Sequence, residues 1–329
     1  MIISHYLMIT ELEFRRAYDN LKKFVKQTPL IYSDWLSKEL NGSVYLKLEC
    51  FNPGNSFKIR GAVNSILEEE KLPEKIITAS GGNHGLGVVI ACNLFNLQCT
   101  VVLPKSTSQF RVDLLKNLGA DVIIFGDAWD EANEYATSLV EEGVSKYIHA
   151  FADKSVMMGQ GTIIPEIESQ FDLSNVDIFV ASIGGGGLLA GNSLAIEKLG
   201  YDIEIIGVET KGADTIALSL KEDKLIKLEN IDSIAKTLGA KTTTQEIFSI
   251  MKEHVSQMIV VEDKAAVEAL FKFLEREKIL VEPATSCLIA AALENKDLFK
   301  NKTSIFVICG SNVSIDEAMN WKEEFGVLL

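Results

Sequence analysis

Short apolar runs alternate with amphipathic stretches along most of this chain. The apolar runs are rich in β-branched residues, as buried strands are, and they lie at residues 44–48, 76–79, 100–103, 122–125, 178–181, 203–208 and 304–309. The intervening stretches, such as residues 109–118 and 128–142, have helical spacing, and a further helix is predicted at residues 10–26. This alternation predicts an α/β protein with parallel sheet covered by helices on both faces. Since ligands in open α/β sheets bind beyond the carboxyl ends of the strands, chemistry is expected there.

Four unusual segments follow predicted strands. They are NPGNSFKIRG at residues 52–61, SGGNHG at residues 80–85, SIGGGG at residues 182–187 and CGSN at residues 309–312. In the third segment, four consecutive glycines open a predicted helix at residues 188–199, where exposed backbone N–H groups and the positive end of the helix dipole favour an anion. A tight turn alone would need one or two glycines, so the run favours a phosphate site.

The same glycines also fit a rival interpretation. Gly185, Gly187 and Ala190 match the pattern G-x-G-x-x-A, and Glu209 ends the next predicted strand, as in a dinucleotide-binding fingerprint. A lone match of this kind is weak, and a nicotinamide oxidoreductase would leave the other three segments unexplained.

Those three segments carry residues whose chemistry is ambiguous in isolation. Lys58 lies between Phe57 and Ile59, which would partly desolvate its amine, yet a single lysine is most often a surface charge. The SGGNH loop offers successive backbone donors for a carboxylate, and Asn83 adds an amide, although an ordinary turn has the same composition. Taken alone, Cys309 is typical of a buried core cysteine.

Composition narrows the classes of protein that remain. A net charge of −14 over 329 residues argues against nucleic acid or an anionic membrane as the main partner. The five cysteines, at positions 50, 92, 99, 287 and 309, form no Cys-x-x-Cys pair and suit a reducing compartment, and the four histidines show no zinc-ligand spacing. The first ten residues lack the features of a signal peptide, and no apolar stretch has the length of a membrane span. We therefore expect a soluble protein of the cytoplasm.

Six motifs occur in order along the chain: SFKIRG around Lys58, SGGNHG, GQGT at residues 159–162, SIGGGGLLAG, VEPA at residues 281–284, and CGSN. In this combination the chain resembles the serine/threonine dehydratase family of pyridoxal 5'-phosphate (PLP) enzymes. The stretches SIAKTLGAKT at residues 233–242 and EKILVEPA at residues 277–284, together with Cys309, are similar to the L-serine dehydratase branch in particular.

The resemblance implies an architecture. The expected fold is the α/β fold type II of PLP enzymes, similar to tryptophan synthase β, with two open, mostly parallel sheets flanked by helices. Residues 1–49 and 155–329 would form a large PLP-binding domain, and residues 50–154 a small domain. The resemblance also implies a homodimer. The expected small-molecule partner is an amino-acid substrate.

The resemblance further implies a role for each motif. Lys58 would hold PLP as a Schiff base and, once displaced by substrate, take the Cα proton. The residues expected to bind the cofactor are Phe57, Lys58, Asn83, Gly184, Gly185, Gly186, Gly187, Leu188 and Cys309. The residues expected to bind the substrate carboxylate are Ser80, Gly81, Gly82, Asn83 and His84.

Two positions narrow the reaction that the resemblance implies. The family place of Cys309 faces the pyridine nitrogen, where a thiol is a weak acid, so the nitrogen would stay largely unprotonated and the ring would be a weaker electron sink. That favours loss of the β-hydroxyl over a long-lived carbanion. Serine racemases have a serine where this chain has Gly81, and that serine supplies the acid opposite the lysine. We therefore expect elimination with little racemisation.

A cation site is also implied. Family members bind a metal ion near the glycine run, and Glu209, Ala213 and Thr215 occupy the matching positions. Racemase-like members carry an aspartate where this chain has Thr215, so this site has one carboxylate instead of two. It therefore suits a weakly held monovalent ion such as K⁺ better than Mg²⁺.

The expected function is β-elimination of L-serine, L-threonine or both to a 2-oxo acid and ammonia. A methyl group changes binding in such a pocket by only about 1–3 kcal/mol, so mixed activity is expected. Within the family, a threo-3-hydroxyaspartate ammonia-lyase and a serine racemase-like enzyme remain alternatives. Outside it, the alternatives are a nicotinamide oxidoreductase and a non-catalytic amino-acid-binding protein.

Overall fold

The structure, a computed structural model, describes residues 9–328, so the expectation for the first ten residues falls almost wholly outside the described residues. In chain order the strands are β1 (Leu30–Tyr32), β2 (Ser43–Lys47), β3 (Lys75–Thr78), β4 (Gln98–Leu103), β5 (Asp121–Ile124), β6 (Ser145–Tyr147), β7 (Ile178–Ser182), β8 (Glu204–Thr210), β9 (Gln257–Val261) and β10 (Thr303–Val307). The α-helices are α1 (Glu11–Leu21), α2 (Asp34–Leu40), α3 (Lys58–Leu67), α4 (Asn83–Phe95), α5 (Gln109–Asn117), α6 (Trp129–Ser138), α7 (Lys154–Gly161), α8 (Ile163–Glu168), α9 (Gly187–Lys198), α10 (Thr215–Lys221), α11 (Gln245–His254), α12 (Asp263–Glu277), α13 (Pro283–Glu294) and α14 (Ile315–Glu324).

The strands form two sheets. One has six strands in the order β1-β2-β10-β7-β8-β9, and the other has four strands in the order β5-β4-β3-β6. β1 pairs with β2 in antiparallel fashion, and the remaining pairs in both sheets are parallel. Each sheet has its own large cluster of buried apolar side chains, with α9 and α13 packed in the first and α3 and α4 in the second. The prediction of an α/β protein with two open, mostly parallel sheets is confirmed.

The predicted strands and the observed strands agree closely. All seven apolar runs fall on strands, namely β2, β3, β4, β5, β7, β8 and β10, and the bounds differ by about two residues at most. β1, β6 and β9 were not predicted. All three lie at the edges of their sheets and are partly exposed. β1 and β6 have only three residues each, too few for a periodic pattern, and the apolar run of β9 at residues 258–261 was missed.

The first helix is shorter than predicted. Thr10 caps α1 in a capping box with Glu13, and the helix ends at Leu21 instead of residue 26. Beyond that point the chain continues in turns, in which the N–H of Val25 still donates to the carbonyl of Leu21 (2.9 Å), and both side chains lie in the apolar cluster of the four-stranded sheet. Among the helices of residues 9–328, none combines the length and apolar character that crossing a membrane requires.

Candidate active site

All four unusual segments contact one another, and three of them meet as follows. The backbone N–H of Phe57 donates to the carbonyl of Cys309 (3.1 Å), and Ser56 forms an antiparallel bridge with Gly310. Ser182 lies at the end of β7, and its Oγ is 3.4 Å from the Sγ of Cys309 beyond the end of β10. The lysine segment therefore lies against the carboxyl ends of two neighbouring strands of the six-stranded sheet.

Lys58, the first residue of α3, projects an amine into this region. Its Nζ donates a hydrogen bond to the carbonyl of Ala150 (2.9 Å) and lies 5.0 Å from the centre of the Phe57 ring. Burial lowers the pKa of Lys58 to about 8, although the nearby Cys309 and Glu282 oppose that shift. A lysine in this environment has an appreciable neutral, nucleophilic fraction near neutral pH.

The SGGNH loop leads from β3 into α4. Gly82 is the N-cap residue of α4 and offers no side chain to bond the first backbone N–H groups of the helix. Two bonds fix the loop: Ser80 Oγ accepts from the N–H of Gly82 (3.2 Å), and Arg111 Nη1 donates to the carbonyl of Gly81 (3.1 Å). An uncapped helix start of this kind favours a carboxylate.

His84 is buried within the first turn of α4. Its Nε2 donates to the carbonyl of Ile148 (3.0 Å), and burial lowers the pKa of His84 to about 3, so the ring is neutral. Its Nδ1 is then an acceptor, and it is buried without a partner among the described residues. An acceptor does not bind a carboxylate, so any contribution of His84 to carboxylate binding comes from its backbone N–H.

The glycine loop, residues 184–187, connects β7 to α9. Gly186 has a φ of +93° in the left-handed region and caps α9 without a side-chain bond. A Cβ atom on Gly185 would lie 2.1 Å from the Phe151 ring, and one on Gly184 would lie 2.9 Å from Leu238. Leu188 follows in the first turn of α9 and is buried. The loop therefore presents backbone N–H groups in a space that side chains cannot enter, which suits a phosphate.

The segment after β6 forms a wall of the site that the sequence did not indicate. It supplies the carbonyls of Ile148 and Ala150 and the ring of Phe151, all in contacts given above. His149 shapes the segment, since its Nδ1 accepts from the backbone N–H of Phe151 (3.2 Å). The contribution is mostly backbone, which leaves no residue-type pattern. Its position after a strand of the parallel sheet would have been a signal, but β6 itself was not predicted.

Cys309 lies in a pocket of hydroxyl groups. Its Sγ is 3.1 Å from Thr285 Oγ1 and 3.4 Å from Ser182 Oγ. Thr285 Oγ1 donates its own proton to the carbonyl of Gly310 (2.8 Å), so it accepts from the thiol. Burial raises the pKa of Cys309 to about 12, which makes the thiol a still weaker acid than its unperturbed pKa indicates.

Glu282, in the VEPA motif, is a site residue to which the sequence assigned no role. Its Oε1 accepts from Asn83 Nδ2 (2.7 Å) and from Thr237 Oγ1 (3.2 Å). Asn83 Oδ1 in turn accepts from Asn312 Nδ2 (2.7 Å). Burial raises the pKa of Glu282 to about 7, and its Oε2 is buried with no partner in the described part of the chain.

The residues of the expected cation site lie around the start of α10. Glu209 is buried, and its carboxylate accepts from the backbone N–H groups of residues 216 and 217 (3.0 and 2.8 Å). Thr215 Oγ1 donates to the carbonyl of Ala240 (2.7 Å), and Ala213 is buried just before the helix. Burial raises the pKa of Glu209 to about 8. Within residues 9–328, no cluster of three or more His, Cys, Asp or Glu side chains is placed to hold a metal ion.

Comparison with known proteins identifies similar sequences and structures. The sequence profile of a family described as "pyridoxal-phosphate dependent enzyme" matches residues 21–310. L-threonine ammonia-lyase of Thermotoga maritima is 35% identical over 311 residues, which are 94% of this chain and 77% of that protein. Threonine deaminase isoform 2 from Solanum lycopersicum, in its processed form, superposes with a TM-score of 0.89 at 29% identity, covering 97% of this chain and 94% of that one. Maize serine racemase superposes with a TM-score of 0.88 at 29% identity, covering 96% and 97%.

Proposed function

Because the chain belongs to the serine/threonine dehydratase family of pyridoxal-phosphate-dependent enzymes, with its type II fold, we propose that it eliminates the β-hydroxyl of L-serine, L-threonine or both, giving a 2-oxo acid and ammonia. The observation that carries the proposal is the partly buried amine of Lys58, which bonds a short segment, residues 148–151, that also contacts two uncapped helix starts that suit anions. The nicotinamide oxidoreductase, suggested only by Gly185, Gly187 and Ala190, has no comparable support.

The donors present fit PLP. When bound, PLP supplies an aldehyde that condenses with amines and a ring that withdraws electrons from the substrate Cα. The glycine loop and Leu188 would bind its phosphate, and Phe57 would lie against its ring. Asn83 would donate to its 3-hydroxyl oxygen, and Cys309 would face its pyridine nitrogen. The fit rests on the glycine loop, where a single Cβ at position 185 would meet Phe151.

Different residues of the chain would have different roles in the elimination. The SGGNH loop and the start of α4 would hold the substrate carboxylate. Lys58, with its lowered pKa, would remove the Cα proton as the β-hydroxyl leaves. Cys309 would keep its proton throughout, because burial raises its pKa far above neutrality. Gly81 has no side chain to return a proton from the opposite face, which supports elimination over racemisation.

Two measurements test this function. The purified protein should show the visible absorbance of lysine-bound PLP, which borohydride treatment and Lys58→Ala should abolish. The 2-oxo acid formed from L-serine and L-threonine should disappear in the same variant, whereas the exposed lysine variant Lys105→Ala should retain it. The D-amino acids should give little product. Absence of the absorbance, or unchanged product formation in Lys58→Ala, would exclude the proposal.

We further propose that a monovalent cation such as K⁺ binds near Glu209, Ala213 and Thr215. In support, Glu209 is fully buried and forms no ion pair among the described residues, so a cation would compensate its charge. Replacing K⁺ by Na⁺ should lower activity and thermal stability. Activity indifferent to the choice of ion would count against this site.

The proposal also includes the domain bounds, the cellular location and the oligomeric state. We infer a large domain of residues 1–49 and 155–329 and a small domain of residues 50–154, supported by the two sheets, whose strands fall entirely in one range or the other. We also infer a cytoplasmic location, because all five cysteines are free and buried. A homodimer is proposed from the family resemblance, and light scattering of the purified protein tests it.

A further inference from the structure

Glu282 has an unusual position for a carboxylate. It is the N-cap residue of α13, a position at which the side-chain oxygen of a short polar residue often accepts hydrogen bonds from the first turn of the helix. Here the side chain makes no capping bond. It reaches instead to Asn83, at the start of α4, on the side of the molecule that carries the four-stranded sheet. The carboxylate therefore binds Asn83 instead of capping its own helix.

The contact between Glu282 and Asn83 is short and buried. Glu282 is 3% exposed and Asn83 is 6% exposed, and the Oε1 to Nδ2 distance is 2.7 Å. A Cβ atom on Gly310 would lie 2.5 Å from that Oε1 and 3.1 Å from that Nδ2, so only glycine leaves room for the pair. Hydrogen bonds to a carboxylate are strong in such an environment.

Glu282 and Asn312 together determine which way the Asn83 amide faces. The oxygen of that amide accepts from Asn312 Nδ2 (2.7 Å), and Asn312 is itself fixed by a bond to the carbonyl of Gly54 (2.8 Å). One N–H of Asn83 goes to Glu282, which leaves the second N–H for a ligand. A flipped amide would set its oxygen against the Glu282 carboxylate and its N–H groups against the N–H groups of Asn312.

We propose that Glu282 is a positioning residue, which acts through Asn83 by holding the second amide N–H toward the 3-hydroxyl oxygen of bound PLP. The inference rests on the proposed function, in which Asn83 binds that oxygen. Glu282 ensures that the anionic oxygen meets an N–H donor. Without it, the amide oxygen can turn toward the same place and repel the ligand. The VEPA motif thereby gains a role in orienting the cofactor.

A double-mutant cycle tests the proposal through the dissociation constant of PLP, measured by fluorescence on protein freed of cofactor. Asn83→Ala and Glu282→Leu should each weaken binding by about tenfold, the loss expected for one charge-assisted hydrogen bond. Because Glu282 acts through Asn83, the double variant should also be about tenfold weaker, not about a hundredfold. Glu282→Gln retains an acceptor of the same length and should bind within about threefold of wild type.

Controls separate this role from a structural one. Glu294→Leu changes the same residue type at the other end of α13 and should leave PLP affinity unchanged. If Glu282→Leu fails to fold, Glu282→Asp keeps the charge but withdraws it from Asn83, and its effect should likewise vanish in the Asn83→Ala background. Effects that add in the double variant, or an Asn83→Ala variant with wild-type affinity, would overturn the proposal. A wild-type protein that binds no PLP would instead overturn the proposed function.

Discussion

At the scale of single residues, the Lys58 amine makes the most direct prediction. Since burial lowers its pKa to about 8, its neutral fraction rises about tenfold per pH unit below that value and then levels off. Competitive acetylation of cofactor-free protein, followed by peptide mass spectrometry, should therefore show Lys58 reactivity reaching a plateau above pH 8. A model peptide with a free lysine side chain, added to the same sample, provides the comparison, since an unperturbed lysine gains reactivity up to about pH 10. A Lys58 profile that still rises at pH 9–10 would contradict the burial described above.

Gly81 makes a second prediction at this scale. In the proposed site a serine at position 81 faces the substrate from the side opposite Lys58, so in Gly81→Ser we expect D-serine to appear from L-serine while pyruvate formation falls. The new Cβ would lie 3.1 Å from Thr107 Cγ2, so a small shift of Thr107 is required and some activity is lost. Chiral chromatography of the products measures both outcomes. Gly82→Ser is the matched control, because its Cβ would make only ordinary contacts, 3.9 Å from Ser80 and 4.0 Å from Thr237, one residue away, and it should give no D-serine.

Sequence patterns located some of the site residues but missed the contacts that orient them. Lys58, Asn83 and the glycine loop belong to motifs with distinctive composition. Lys58 also bonds a carbonyl of Ala150, and every residue has a carbonyl, so no pattern marks that partner. Glu282 was visible within VEPA, yet a glutamate before a helix-starting proline carries no sequence signal of a bond to a residue 199 positions earlier. Only the fold shows that this side chain leaves its helix for Asn83.

At the scale of elements, the glycine loop makes a prediction that depends on close packing. Gly185→Ala would force a Cβ to within 2.1 Å of the Phe151 ring, so either the loop or the segment after β6 must move. That segment also carries the Ala150 carbonyl that holds Lys58. We expect this overpacking to lower the free energy of unfolding by about 1–3 kcal/mol and to cause a large loss of PLP affinity. Denaturant unfolding and fluorescence titration measure the two effects.

The neighbouring Gly187 provides a graded comparison. A Cβ there would lie 3.1 Å from Phe151, which a small displacement relieves. Gly187→Ala should therefore lose less affinity and less stability than Gly185→Ala. Equal effects of the two variants would show that Phe151 does not set the space available to the loop.

Among the elements of the described residues, fully buried strands were predictable, whereas three of the four edge strands were missed. β7 is buried along its whole length, so its apolar run is unbroken, and the same property marked β10. β6 is partly exposed at every position and pairs on one side only, so nothing in its three residues distinguishes it from a loop. The segment that follows β6 was missed for this reason, and with it one wall of the site.

At the scale of the whole molecule, a buried ionic network joins α3 to the six-stranded side. Arg60 donates to Glu49 (2.7 Å) and to Glu166 (2.6 Å), and Lys47 donates to the same Glu166 (2.6 Å). All four side chains are at most 1% exposed, and their formal charges balance. Burial alone would raise the pKa of Glu166, but Arg60 and Lys47 hold it at about 2. The network fixes the helix that begins with Lys58.

Removing one cation from this network should therefore destabilise the whole protein. Arg60→Met leaves two buried carboxylates with only Lys47 between them, and we expect a loss of about 3–5 kcal/mol in the free energy of unfolding. Arg15→Met removes the ion pair with Glu168, in which Arg15 is 40% exposed, and should cost about 1 kcal/mol or less. Denaturant unfolding at pH 7 compares the two variants. A similar small loss for both would mean that α3 is held by apolar packing alone, and that the buried charges contribute little to the position of Lys58.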